Sequence, residues 1–266
     1  MHSWTSVAAG CPVKLALLAG RVPPRSLRLA AMMEDMRIVG VPAPGAGASV
    51  DLHVGHGEDP RMLVWQEGYV ISQLLSARLD NDEVVVTAQI LARQATNRPP
   101  RVRSRGIDPR LELRPGEIPV ERQRIAAYAI VRSSLGLLGT QCSAATAIPG
   151  MWQLPGGGLE AGELPSDAVI REIREETAQE VQIDRLIDIQ SDHWIGRAPH
   201  GVLEDFQALR IIYTATCASP TEPEVLDVGG TTQSASWVPL RRWRRLPWTS
   251  GARSLLDRHL DSVPLD

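Results

Sequence analysis

Three glutamates, Glu172, Glu175 and Glu176, fall within little more than one turn of a predicted helix in the stretch GGGLEAGELPSDAVIREIREETAQE, residues 156–180. At about 100° per residue they share an arc roughly 100° wide. Beside it, Val169, Ile170 and Ile173 form an apolar arc that can face a core. Like charges four residues apart destabilise an isolated helix by about 0.2–0.5 kcal/mol per pair. A solvated face bears that cost, so charge alone decides nothing. Gathered carboxylates are also what a hard divalent cation requires, an oxygen shell close to octahedral.

The elements that must position this strip are legible around it. MWQLPGGG (151–158) carries a short strand into a glycine-rich loop, and Pro165 suits the first turn of the helix. Upstream, 124–133 and 135–141 read as a strand pair across a Ser-Ser turn. Downstream, 184–196, 208–217 and 234–240 read as strands, and GARSLLDRHL (251–260) as a closing helix. Residues 166–178 are expected to be helical, within a mixed sheet flanked by helices over 120–250.

The spacing Gly157, Glu163, Arg171, Glu172, Ile173, Glu175, Glu176, with WQLPGG before it, resembles the Nudix box of the Nudix hydrolases. The match holds many fixed positions over one short segment, which makes it specific. Ala178 stands where the family has glycine and Gln179 where it has an apolar residue. The glycine serves the turn leaving the helix, where positive φ is cheap for glycine alone, so alanine implies a changed helix end or mild strain.

The resemblance implies an α/β/α sandwich with a mixed sheet at 119–260 and a hydrolase cleaving the diphosphate of a nucleoside diphosphate linked to another moiety. It implies Mg²⁺ or Mn²⁺ held by Glu172, Glu175, Glu176 and the Gly156 carbonyl, with these glutamates as the catalytic carboxylates. It also implies a Glu163–Arg171 ion pair tying loop to helix. Some family members use a glutamate just before the tryptophan of the last strand as general base, but TTQSASW (231–237) has no acid. Glu176, Glu204, Asp205 and Glu224 are the candidates, Glu176 first. For substrate binding, His193, Trp194, Arg197, His200 and Asp205 offer stacking and anion-binding groups, with loop packing as the plainer role. The proline that marks many ADP-ribose hydrolases is absent at its spacing after the box, which leaves nucleoside triphosphates or sugar nucleotides. A non-catalytic nucleotide sensor on the same fold is the alternative, and an isomerase a third.

The rest of the chain is less informative. The 266 residues, 43% apolar and 22% charged with net charge −3, suit a globular protein, and the resemblance implies a small-molecule nucleotide substrate. They give no electrostatic reason to expect nucleic acid or membrane. A homodimer is left open. Cys11, Cys142 and Cys217 show no metal-ligand or disulfide spacing, and a cytoplasmic location is the expectation. SVAAGC (6–11) resembles a lipoprotein cleavage box only superficially, lacking a basic region and an apolar stretch before it. Residues 1–36 read as a poorly ordered extension, with Met32, Met33 and Met36 as alternative starts. A small α/β region of unassigned role is expected at 37–94, with strands at 49–54 and 83–88. Within it, 61–79 reads as a helix, or as a strand followed by a helix. The proline- and arginine-rich stretch 95–118 reads as a linker whose arginines, Arg105 among them, have the types to grip phosphates but, with no aromatic residue interleaved, read first as solvated.

Overall fold

The computed structural model describes residues 33–102, 105–108, 111–198 and 201–260. The expected extension therefore lies largely outside the described residues, as do Cys11 and His200. Its last residues are in place: Met33 and Met36 are buried, and the backbone of Met33 bonds to Leu159 and Ile125.

The first unit holds β1 (Met36–Val41), β2 (Val50–His53), α1 (Pro60–Gln66), β3 (Tyr69–Asp80) and β4 (Glu83–Ala92). Its sheet has the order β2-β1-β4-β3, with β1 and β4 parallel and the other pairs antiparallel. The stretch 61–79 is thus a helix followed by a strand, the reverse of the order expected for a two-element segment. Local signals explain it. Asp59 caps Arg61 N and Met62 N at 2.9 and 3.2 Å, and Pro60 sits in the first turn. Gly68, at φ 85°, then turns the chain into β3.

The second unit is a mixed sheet of order β12-β7-β6-β11-β10-β5. It comprises β5 (Gly106–Ile107), β6 (Val120–Ser133), β7 (Gly136–Cys142), β10 (Gln182–Arg197), β11 (Leu203–Thr216) and β12 (Thr232–Val238). Two short strands, β8 (Trp152–Gln153) and β9 (Gly156–Gly158), pair with β7 and β6 respectively. Helix α2 (Pro165–Thr177) follows β9, and α3 (Ser250–His259) is the last element among the described residues. The arrangement is the expected mixed α/β sheet with helices packed on it. Part of the proline-rich stretch is also sheet, because β5 runs parallel to β10.

The period of two along the central strands sorts the core into two layers. Ile125, Ala127, Ala129 and Val131 of β6, with Leu209, Ile211 and Tyr213 of β11, face α2 and the first sheet. Ile130 and Ile212 face the other way, onto Trp243, Trp248, Leu255 and Leu256 around α3. The first layer is continuous: Ile38, Val84 and Val86 share one cluster with Val169, Ile173 and Leu209. The first sheet is therefore packed on the same core that backs α2.

Polar side chains fasten that junction. Gln207, fully buried, accepts from Gly57 N and donates to Glu58 O and Ser191 Oγ. Asp188, also buried on β10, meets Arg61 of α1 at 3.2 Å and Arg258 of α3 at 2.8 Å. Burial opposes its ionisation, but the His259 hydrogen bond and the Arg61 and Arg258 charges hold it below the usual carboxylate range.

Candidate active site

Strand β9 is pinned along β6, with Gly156 opposite Tyr128, Gly157 opposite Ala127 and Gly158 opposite Ala126. This brings the glycine loop flat against the second half of α2. Glycine is required twice. A Cβ on Gly156, whose φ is 138°, would lie 2.2 Å from the Ala127 carbonyl oxygen. A Cβ on Gly157 would lie 2.5 Å from the carboxyl carbon of Glu172. The absence of a side chain at Gly157 is what makes room for that carboxylate.

The strip is not a solvated face. Glu172 and Glu176 are each only 2% exposed, while the Glu175 side chain is 27% exposed. Buried carboxylates must be paired or hydrogen-bonded, and these are. Glu176 accepts from Gly156 N at 3.0 Å and from Thr232 Oγ1 of β12 at 2.6 Å. Arg171 donates to Glu172 at 3.0 Å and to Glu175 at 3.4 Å. Its other nitrogens grip both oxygens of Glu163 at 2.8 Å and the Gly158 carbonyl at 3.1 Å. Burial opposes the Arg171 charge, yet the Glu163 bonds and the Glu172 charge raise its pKa further above the ordinary arginine range. Glu163 also accepts from Glu160 N, which closes the loop.

Gly156, Glu163, Arg171, Glu172, Glu175 and Glu176 are thus gathered in one place. The donor set suits a hard cation: three carboxylates and a backbone carbonyl, with one carboxylate, Glu172, drawn in against the bare Gly157 backbone. Ala178 takes the left-handed conformation at φ 54°, ψ 25°, and its N–H still reaches Arg174 O at 2.9 Å. The helix end has the glycine geometry, and the departure from the family pattern is carried as strain. Gln179 is buried and fully engaged: it donates to Thr177 O and Thr221 Oγ1 and accepts from Thr221 N.

The loop before β12 holds what the sequence pattern did not disclose. Glu224 N, Leu226 N and Asp227 N bond the last carbonyls of α2, on Thr177 and Glu175. Asp227 and Thr232 line a cleft of about 470 Å³ with Ser143, Val225 and Gly230. An acid does therefore stand in the late loop, upstream of the stretch where one was sought. The DVGG turn, whose Gly230 leaves room for the Asp227 carboxylate, was the available signal.

The other candidates lie elsewhere. Trp194, Arg197, Glu204 and Asp205 sit at the far ends of β10 and β11, about 17–26 Å along the strands from the register of Gly157. Trp194 packs on Phe206 with ring centres 4.7 Å apart. Arg197 is engaged by both oxygens of Glu117, at 2.8 and 2.9 Å, and by the Gly201 and Glu112 carbonyls. The Glu117 carboxyl is lowered to about 2, first by the Arg197 hydrogen bond and then by the Arg114 backbone. Asp205 is bonded by His193 at 2.5 Å and Arg105 at 3.1 Å. Burial would raise its pKa, but these partners and His56 hold it down.

A mixed α/β sheet that feeds a glycine loop into a carboxylate-bearing helix defines the class of fold. A family model described as the NUDIX domain matches residues 122–259, more than half of the chain, and the protein belongs to that family. It is 39% identical over 59 residues to Nudix hydrolase 26, chloroplastic, of Arabidopsis thaliana, covering 22% of this chain and 23% of that protein. It is 40% identical over 63 residues to nucleoside triphosphatase NudI of Enterobacter sp. (strain 638), covering 23% of this chain and 45% of that one. The match thus spans less than half the length of these relatives. The crystal structure of the MutT protein from Methanosarcina mazei aligns over 53% of this chain and 93% of its own, at 18% identity and a TM-score of 0.41. Among the described residues no helix is long and apolar enough to cross a membrane.

Proposed function

We infer that the protein is a pyrophosphohydrolase dependent on Mg²⁺ or Mn²⁺, acting on a small nucleotide with a diphosphate linkage. The observation that carries this reading is the burial of Glu172 and Glu176 beside the glycine loop, with Glu175 next to them. Carboxylates on a merely solvated face would not be desolvated and held by Gly156 N, Thr232 Oγ1 and Arg171.

Glu172, Glu175, Glu176 and the Gly156 carbonyl would hold the metal, which when bound neutralises phosphate oxygens and lowers the pKa of a coordinated water. Arg171 keeps the Glu172 and Glu175 carboxylates oriented, and Glu163 keeps Arg171 in place. Glu176 would serve as the group that accepts a proton from the attacking water. Its hydrogen bonds from Gly156 N and Thr232 Oγ1 fix the orientation of the carboxylate. Asp227 bounds the cleft beside Thr232, and the cleft volume falls in the ordinary range for small-molecule sites. A nucleoside triphosphate or a sugar nucleotide is the substrate class. The missing ADP-ribose proline supports that choice, as does the name of the Enterobacter relative, a nucleoside triphosphatase. Buried free thiols at Cys142 and Cys217 suit a reducing compartment such as the cytoplasm.

The test is a panel of nucleoside triphosphates, sugar nucleotides and ADP-ribose with the full chain and Mg²⁺, scored for inorganic phosphate, pyrophosphate and nucleoside monophosphate. Mg²⁺-dependent release from at least one of the first two classes is expected. Nucleotide binding with no Mg²⁺-dependent product would instead identify a sensor.

A further inference from the structure

The junction between the two sheets gathers a second set of metal-ligating side chains, remote from the glutamate strip. His56 comes from the loop between β2 and α1, His193 from β10 and Asp205 from β11. One ligand atom from each lies within 4.8 Å of the others. His193 Nε2 is 2.5 Å and His56 Nε2 3.7 Å from the same oxygen of Asp205, and the two rings meet edge to face at 5.0 Å. Arg105 occupies the other Asp205 oxygen, at 3.1 Å, so Oδ1 is the atom turned toward both histidines.

Two independent observations show that this is more than a chance meeting of side chains. Among the described residues, both ring nitrogens of His56 are inaccessible to solvent and have no hydrogen-bond partner. A buried polar group left in that condition is costly, and a ligand supplies what is missing. The backbone that carries His56 is also deliberately anchored. Gly57 N and Glu58 O are both bonded by Gln207, which stands on the same face of β11 as Asp205, and Glu58 O also receives Ser191 Oγ. A Cβ on Gly57 would come within 3.4 Å of the His193 ring, so the loop lies flush against it.

We propose that His56, His193 and Asp205 bind one divalent transition-metal ion of the zinc class, which clamps the N-terminal sheet to the Nudix sheet. Two imidazoles and one carboxylate are borderline donors that favour Zn²⁺ or Co²⁺ over Mg²⁺, whose preference is for oxygen alone. Tetrahedral ligand atoms about 2.0–2.2 Å from such an ion lie roughly 3.3 Å from one another. The observed separations reach that value by small side-chain shifts. The fourth position is left to water or to an anion, and Arg105 beside it favours negative charge there. The ion would bridge segments more than a hundred residues apart, closing a long loop in the folded state. This site is independent of the hydrolase reading, being about 20 Å along β11 from the box.

The experiment uses the full chain, stripped with chelator and titrated with Co²⁺ under saturating Mg²⁺. One equivalent of Co²⁺ should bind with the visible ligand-field bands of a four- or five-coordinate ion. Zn²⁺ should displace it and raise the melting temperature. His56→Ala, a change on a loop, should keep the far-ultraviolet dichroism and weaken Co²⁺ binding by at least about 100-fold. Glu175→Gln should leave Co²⁺ binding unaltered. His56→Cys retains a donor and should add a thiolate-to-cobalt charge-transfer band, a readout that does not depend on stability. No Co²⁺ uptake by the folded wild type would overturn the proposal, as would uptake unchanged in His56→Ala or His56→Cys lacking the thiolate band.

Discussion

The glutamate strip and the junction between the sheets are both polar clusters set into a hydrophobic core, but they are assembled differently. In the strip, residues 156–176 supply the loop, the Glu163–Arg171 pair and the three carboxylates from one continuous segment. In the junction, Asp188 meets Arg61 across 127 positions, and Gln207 meets Gly57 across 150. A local cluster is set by helix periodicity and loop length, and so survives as a spacing pattern. A long-range cluster exists only once strands have found their register, and leaves no spacing to find.

The largest stability effect expected separates a mere surface ion pair from a built site. Glu163→Ala leaves the Arg171 guanidinium, which is 22% exposed, without its two-oxygen partner. Removing one member of such a partly buried pair should destabilise the protein by about 3 kcal/mol, read by urea denaturation. A loss under about 1 kcal/mol, the range of surface pairs, would place Glu163–Arg171 among ordinary solvated charges and weaken the contrast with a solvated strip.

A somewhat smaller effect is expected at the junction. Asp188→Asn removes a charge that Arg61 and Arg258 both use, and should cost about 2 kcal/mol. The pH dependence carries a sign. The folded-state pKa of Asp188 lies below its unfolded value, so its contribution is complete above the unfolded value near 3.8. It is lost as pH falls through the depressed folded value. Wild type should therefore lose more stability than Asp188→Asn on acidification below about pH 4. Parallel acid profiles would show that the junction charge does not couple the helices to the sheet.

The smallest effect sits where the family pattern is broken. Ala178 holds φ 54°, a conformation that costs a non-glycine residue about 1–2 kcal/mol. Ala178→Gly should relieve that strain against a greater loss of unfolded-chain entropy, for a net gain of about 0.5–1 kcal/mol. Destabilisation by the same change would mean that the alanine methyl group makes a contact worth more than the strain.

The contrast also explains what could be read in the sequence. Helix α2, its ion pair and the strands around it follow from apolar periodicity and a motif whose parts are near neighbours. The segment 61–79 was ambiguous because its apolar spacing fits helix and strand alike. The order was decided by the Asp59–Pro60 start and the Gly68 turn. Asp227 falls between Glu224, which the sequence offers as a candidate, and the positions directly before Trp237, which hold no acid. The chain instead spends Gly229 and Gly230 on a turn that sets the acid farther back. His193 and Asp205 had the right types for substrate binding, but only the register of β10 on β11, with the loop carrying His56, shows that they face each other.

The most direct test of the strip as a metal-holding catalytic site compares wild type with Glu176→Gln, using the substrate identified by the nucleotide panel. The substitution keeps size and removes one charge from a carboxylate bonded to Gly156 N and Thr232 Oγ1. Mg²⁺ should raise the wild-type melting temperature by linkage, and turnover should fall by roughly 10²–10⁴-fold in the variant. Wild-type hydrolysis that persists in excess chelator, or full turnover by Glu176→Gln, would contradict it.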